Sequence, residues 1–175
     1  MNERGFTLLE VLVVGVIIGL ISTSLISNFS QGRMGLNRTV AEMAAAIRTA
    51  PARALAGALH NGVYPCGYGV TMGADSYSIY AGPEADGTDC TGQNHNYESS
   101  VDTIVETRAI SYKNVEIVLP VEDIFFVPPN PKTYINNVNT TGVDTTISVR
   151  IKGESCPSES CRSIYVSTSG NIELQ

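Results

Sequence analysis

A carboxylate set among hydrocarbon side chains is the first residue in this chain that asks for chemistry. Glu10 stands in RGFTLLEVLVVGVIIGLIS, residues 4–22, and from Val11 to Gly32 no side chain carries charge. An acid at the centre of a membrane helix costs about 2.5–3.5 kcal/mol on insertion scales, and more without a partner. Such a residue needs a cation delivered to the same apolar layer. The second chemical set is Cys66, Cys90, Cys156 and Cys161. No Cys-x-x-Cys occurs and histidines are few, so the thiols point to disulfides rather than to zinc. Four cysteines allow three pairings. The sequence-local one, Cys66–Cys90 with Cys156–Cys161, is expected because short loops close most easily. Disulfides persist in oxidising compartments, which puts the cysteine-bearing part of the chain outside the cytoplasm.

The remaining polar residues suggest less. His60 and His95 have no sequence-near Cys, Asp or Ser arrangement for catalysis and read as solvated surface histidines. Glu84, Asp86 and Asp89 could offer oxygens to calcium, but their spacing matches no calcium loop and a solvated acidic loop is expected. Asn139-Thr140-Thr141 fits the three-residue glycosylation pattern, which recurs often by chance. Neither a Gly-x-Ser-x-Gly elbow nor a Gly-x-x-x-x-Gly-Lys phosphate loop is present. No catalytic residue, cofactor or metal is therefore expected. A formal charge of −6 over 175 residues argues against a nucleic-acid binder, which needs a basic face for phosphates. Arg150, Lys152 and Arg162 do gather near the second cysteine pair, yet Glu154 and Glu159 offset them. The one or two phosphate contacts they could make would be lost at modest salt.

The elements that must position these groups follow from periodicity. The uncharged run is long enough to cross a bilayer as a helix, which takes roughly 20 apolar residues. Arginines lie on both flanks (Arg4, then Arg33 and Arg38), so charge bias leaves the orientation open. The cysteines set it: amino terminus in the cytoplasm, remainder outside. Gly15 and Gly19 fit the small-xxx-small spacing of close-packed membrane helices as well as they fit ordinary helix glycines. Gly32 and Gly35 are expected to loosen or bend the helix. A second half then follows, with Val40, Met43, Ala44, Ile47, Ala54, Ala58 and Leu59 at helical spacing, Pro51 as a kink or new turn, and Asn61-Gly62 as the stop. A helix over residues 6–60 would be on the order of 80 Å long, so its first half must project from any small domain.

After Gly62 the texture becomes β-like: a hairpin over 63–82, a polar loop over 83–100 held by Cys90, and strands at 103–112, 115–119, 123–127, 145–152, 163–168 and 171–174. Pro128, Pro129 and Pro131 break the chain after IFFV and mark an edge or crossover. The expected fold is α+β: a long amino-terminal helix, transmembrane in its first half, packed by its second half on a small antiparallel β domain. Its parts are a leader (1–5), a membrane half of the helix (6–30), a second half (31–62) and the β domain (63–175).

The stretch Gly5-Phe6-Thr7-Leu8-Leu9-Glu10-Val11, preceded by Arg4, resembles the prepilin signature of type IV pilins and of the pseudopilins of type II secretion. The resemblance implies a cut between Gly5 and Phe6 by the prepilin peptidase, N-methylation of Phe6, and pairing of Glu10 with the Phe6 amine of a neighbouring subunit. It supplies the missing cation, since a lone buried charge is costly and a paired one is tolerated. ARALAGALHNGV, DIFFVPPNP and SIYVSTSGNIEL are in addition similar to H-type minor pseudopilins and their minor-pilin relatives. The implied function is structural: a minor subunit of a type IV pilus or pseudopilus, held in the bacterial inner membrane before assembly, with other pilin subunits, lipid and the inner-membrane assembly platform as partners. Two other readings compete. One is a ligand- or DNA-binding subunit at a filament tip, and the other a membrane-anchored or secreted β domain with no filament role.

Overall fold

The computed structural model describes residues 8–85, 90–129 and 132–175, and leaves the side chains of residues 24–31 and 91 undescribed. One helix, α1, runs Leu8–Leu55 without interruption, 48 residues or about 72 Å at 1.5 Å per residue. The helix, expected to loosen or bend at Gly32 and Gly35, continues through both. Both glycines are buried where the helix presses on the β domain. A Cβ on Gly35 would stand 2.8 Å from the Tyr112 ring, and one on Gly32 would stand 3.3 Å from Ile151 Cδ1. These glycines serve close approach, and packing offsets their weak helix propensity. Pro51 likewise lies inside the helix.

The helix stops earlier than its apolar spacing suggests. Gly57 takes φ +55°, the Ala58 N–H bonds Arg53 O at 3.1 Å, and the Gly57 N–H bonds Ala54 O at 3.1 Å. This pair of bonds around a left-handed glycine is a Schellman cap. Asn61-Gly62, expected as the stop, is instead a separate tight turn. Both residues have positive φ, and His60 and Val63 exchange two backbone bonds across them. Asn-Gly supplies that turn at little strain.

Among the described residues nine strands follow. β1 (Tyr68–Met72), β2 (Ser76–Ala81), β3 (Thr103–Ala109), β5 (Ile124–Val127) and β6 (Lys132–Ile135) form a sheet ordered β3-β2-β1-β5-β6. β4 (Val115–Ile117), β7 (Asp144–Ile151), β8 (Cys161–Ser167) and β9 (Ile172–Leu174) form a second, ordered β4-β7-β8-β9. Every pairing is antiparallel. β6 is the strand the sequence hides. Pro128 and Pro129 sit in the connection rather than in a ladder, and β6 pairs back on β5 from Ile124↔Ile135 to Val127↔Lys132.

The second half of α1 seats against both sheets. Leu36, Val40, Met43, Ala44, Ile47, Ala50 and Ala54 are buried along one stripe. They meet Val70 and Ile124 of one sheet and Ile147, Val149, Ile164 and Val166 of the other in a single core. Leu59, expected in the stripe, lies past the cap and is 55% exposed. A smaller cluster of Tyr80, Phe125, Val127 and Tyr134 lies on the outer face of the larger sheet. Cys66 and Cys90 are bonded (Cα–Cα 5.3 Å), as are Cys156 and Cys161 (Cα–Cα 5.5 Å).

Candidate functional site

The candidate site is the start of α1. Gly5 and Phe6 lie outside the described residues. Glu10 falls in the first helical turn, where the amino-terminal end of the helix dipole favours an acid. The turns after it show an unusual surface. Leu8, Leu9, Val11, Val13, Val16 and Ile18 are each 46% exposed or more, and Leu12, Val14, Ile17, Leu20 and Ile21 are exposed with them. These positions cover every side of the helix, so no face is turned to the chain's own core. Gly15 and Gly19 meet nothing within 4 Å where a Cβ would stand. A helix apolar all round is one that something else covers, lipid or other helices. Among the described residues no helix is long and apolar enough to cross a membrane. The uncharged run continues through residues 24–31, whose side chains are not described.

The rod enters the domain at Gly32, and Arg33 pairs there with Glu159 of the Cys156–Cys161 hairpin. The other cations singled out above are engaged locally. Arg150 Nε donates to Glu116 at 2.8 Å, Lys152 Nζ to Asp75 at 2.9 Å, and Arg162 to the Cys161 carbonyl at 2.8 Å. The two ion pairs offset Arg150 and Lys152, while Arg162 meets only backbone carbonyls among the described residues, so of these three a single cation is left toward phosphates.

His95 departs from the expected solvated histidine. It is 2% exposed, its ring stacks on Tyr134 with centroids 3.7 Å apart, and Phe125 lies 5.3 Å away. Nδ1 lies 2.8 Å from Asn137 Oδ1, and Nε2 lies 3.1 Å from the Cys90 carbonyl. The loop is polar in sequence, but the Cys66–Cys90 bond holds it over the aromatic cluster and lays the imidazole on those rings. Tyr80 donates to the His95 carbonyl at 2.8 Å, and burial, with Asp123 and Asp102 nearby, pushes its phenol far above the ordinary range. Burial also raises the Asp102 carboxyl, against the opposing pull of the Glu98 N–H it accepts at 2.7 Å. The signal for this cluster was available only as aromatics on β2, β5 and β6, strands whose order in the sheet the sequence does not reveal. His60, by contrast, is half-buried beside Asn61. Of the acids considered for calcium, Glu84 is exposed, and Asp86 and Asp89 lie outside the described residues. Asn139 is exposed, and its amide donates to the Thr133 carbonyl at 2.6 Å.

Residues 1–26 match the prokaryotic N-terminal methylation motif. Neither a curated protein nor a solved structure matches the chain. The motif supports a type IV pilin-like chain whose precursor is cut by a prepilin peptidase, and the match ends inside α1.

Proposed function

We propose that this chain is a minor pilin or pseudopilin, a structural and non-catalytic subunit of a type IV pilus or a type II secretion pseudopilus. The prepilin peptidase cuts between Gly5 and Phe6, and Phe6 becomes the methylated amino terminus. Before assembly, residues 6–30 anchor the subunit in the inner membrane with the β domain on the extracytoplasmic side. The two disulfides support that side, since such bonds persist in oxidising compartments.

One observation carries the reading: the methylation motif covers the start of a continuous helix whose described turns from Leu8 to Ile21 are apolar and exposed on every side. That half is satisfied in lipid and again among the equivalent helices of a filament. Leaving lipid for a helix stack gains little hydrophobic energy, because both surroundings are apolar. A specific electrostatic contact can then decide the register. Glu10 and the amine created at Phe6 are four residues apart, so the acid of one subunit meets the amine of the next when the helices stagger by a few residues. A buried pair of this kind is weak as a source of stability and strong as a selector of register.

The H-type resemblance supports a minor, initiating or tip role over one in the main shaft. The pairing of Arg150 with Glu116 and of Lys152 with Asp75 weighs against DNA as a ligand. Mass spectrometry of the mature amino terminus tests the reading. A chain beginning at N-methyl-Phe6 is the expected product. A chain that keeps Met1, or one that starts near Leu25, overturns it.

A further inference from the structure

A hollow of about 360 Å³ opens on the smaller sheet, between the loop that leads into β7 and the β8–β9 turn. Asn139, Thr141, Tyr165, Ser167, Thr168 and Asn171 bring amides, hydroxyls and one aromatic ring to it. Among the described residues no charged side chain lines it.

The walls are tied to each other. Thr168 Oγ1 donates to the Thr140 carbonyl at 2.9 Å, and its N–H bonds Val143 O at 3.1 Å, so the turn and the loop hold one position. Asn171 Nδ2 donates to Glu173 at 2.7 Å, and its N–H bonds Ser167 Oγ at 3.3 Å. Tyr165 donates its phenolic proton to the Asp144 carboxylate, which fixes the ring in the wall. Each amide retains further donor and acceptor capacity beyond these bonds. Thr133, under the β8–β9 turn, is 1% exposed, and its hydroxyl has no hydrogen-bond partner among the described residues. It lies 3.6 Å from where a Cβ on Gly170 would stand. That hydroxyl is closed off from the hollow, so the amides and hydroxyls of the lining are the polar groups a ligand meets.

The lining selects a ligand class by exclusion. An anion finds no cation in the lining and meets the carboxylates of Asp144 and Glu173 behind Tyr165 and Asn171. A divalent cation wants several convergent carboxylate oxygens, and the lining has none. An apolar ligand would strand the amides and hydroxyls. A neutral, polyhydroxylated ring fits: its C–H face packs on Tyr165, and its hydroxyls exchange bonds with Asn139 and Asn171. The volume lies at the small end of ligand pockets, roughly 300–1,000 Å³, and suits one or two sugar residues.

The hollow also faces away from the rod. Arg48 of α1 donates to the Ile172 carbonyl at 3.3 Å, beside the β8–β9 turn, whereas Arg33 pairs with Glu159 at the opposite end of β8. The two helix positions are about 22 Å apart at 1.5 Å per residue. We propose that this hollow is a binding site for a neutral saccharide, presented at the end of the β domain remote from the projecting helix.

The test uses the full chain in an amine-oxide detergent, which carries no sugar headgroup, and saturation-transfer NMR with the methyl glycosides of glucose, galactose, mannose and N-acetylglucosamine. At least one glycoside should receive saturation. Asn171→Ala should weaken that binding about tenfold, the size of a lost hydrogen bond or two, and Tyr165→Ala should weaken it by at least as much. Arg38→Ala, on the exposed helix surface, serves as the unaffected control, and thermal melts confirm that each variant is folded. The proposal is overturned by no transfer from any of the four at about 10 mM, which corresponds to affinities too weak to matter. Transfer unchanged in either pocket variant, or displacement of the sugar by inorganic phosphate, also overturns it.

Discussion

The two halves of α1 share a backbone and almost nothing else. From Leu36 to Ala54 one stripe is buried against two sheets and the opposite side is wet. From Leu8 to Ile21 every large side chain is exposed and none is turned to the domain. One half is finished by its own chain. The other, from Leu8 to Ile21, keeps apolar side chains that its own domain does not cover. The glycines mark the same division. Gly32 and Gly35 are buried against Ile151 and Tyr112, while Gly15 and Gly19 have open space around them. Identical residues therefore do opposite work, one pair letting a helix settle on its domain and the other leaving a surface that a second helix can approach.

That contrast can be broken or sharpened by substitution. The largest effect is expected from paired core and rod changes. Ile47→Ala, at a fully buried position, should cost about 2–5 kcal/mol of unfolding free energy. Ile17→Ala, at a half-exposed position, should stay within about 0.5 kcal/mol when the same unfolding is followed in detergent. Equal costs would mean that the rod packs on its own domain after all. Next come the disulfides, which staple only the finished half. Removing Cys66–Cys90, with a sequence separation of 24, should cost about 3 kcal/mol, and removing Cys156–Cys161, with a separation of 5, about 2 kcal/mol. Urea midpoints of the two alanine pairs measure both, and a reversed order would contradict the loop-closure account.

The glycines should respond with opposite signs. Gly15→Ala should stabilise the helix by up to about 1 kcal/mol, the propensity difference, whereas Gly35→Ala should destabilise by about 1–3 kcal/mol through overpacking on Tyr112. Helicity by circular dichroism reads the first and thermal unfolding reads the second. The smallest effect concerns pH. Burial raises the Asp102 carboxyl in the folded state, so its contribution is fully present below the unfolded value near 3.8 and is lost as pH rises through the folded value. Asp102→Asn should flatten that loss. Comparing urea midpoints between about pH 3 and pH 7 reveals it, and parallel curves for parent and variant would contradict it.

How much of this was legible depended on range. The motif at Gly5–Val11, the long helix and the β texture after Gly62 are local signals, and the sequence displays them. The sequence-local cysteine pairs are the ones bonded, because loop closure is itself a nearly local quantity. What stayed hidden is decided between distant residues. Gly35 looks like a helix breaker until Tyr112 is seen lying on it. β6 looks like the aftermath of a proline cluster until its ladder with β5 appears. Asn61-Gly62 looks like a helix stop, and only the cap at Gly57 shows that the helix had already ended. His95 belongs to a polar loop, and only the stack on Tyr134 places it in a core. The Asn139 and Asn171 hollow is of the same kind, since its walls come from turns 32 residues apart in sequence.

The central claim is that the unfinished half of α1 is completed by copies of itself, with the acid at position 10 choosing the register. Incorporation of Glu10→Leu tests it most directly: the variant should be cut and methylated at Phe6 like the parent, yet its yield in sheared filaments should fall at least about tenfold, because a neighbour's amine is left buried without a partner. A processed Glu10→Leu subunit recovered in filaments at the parent's level would contradict the account.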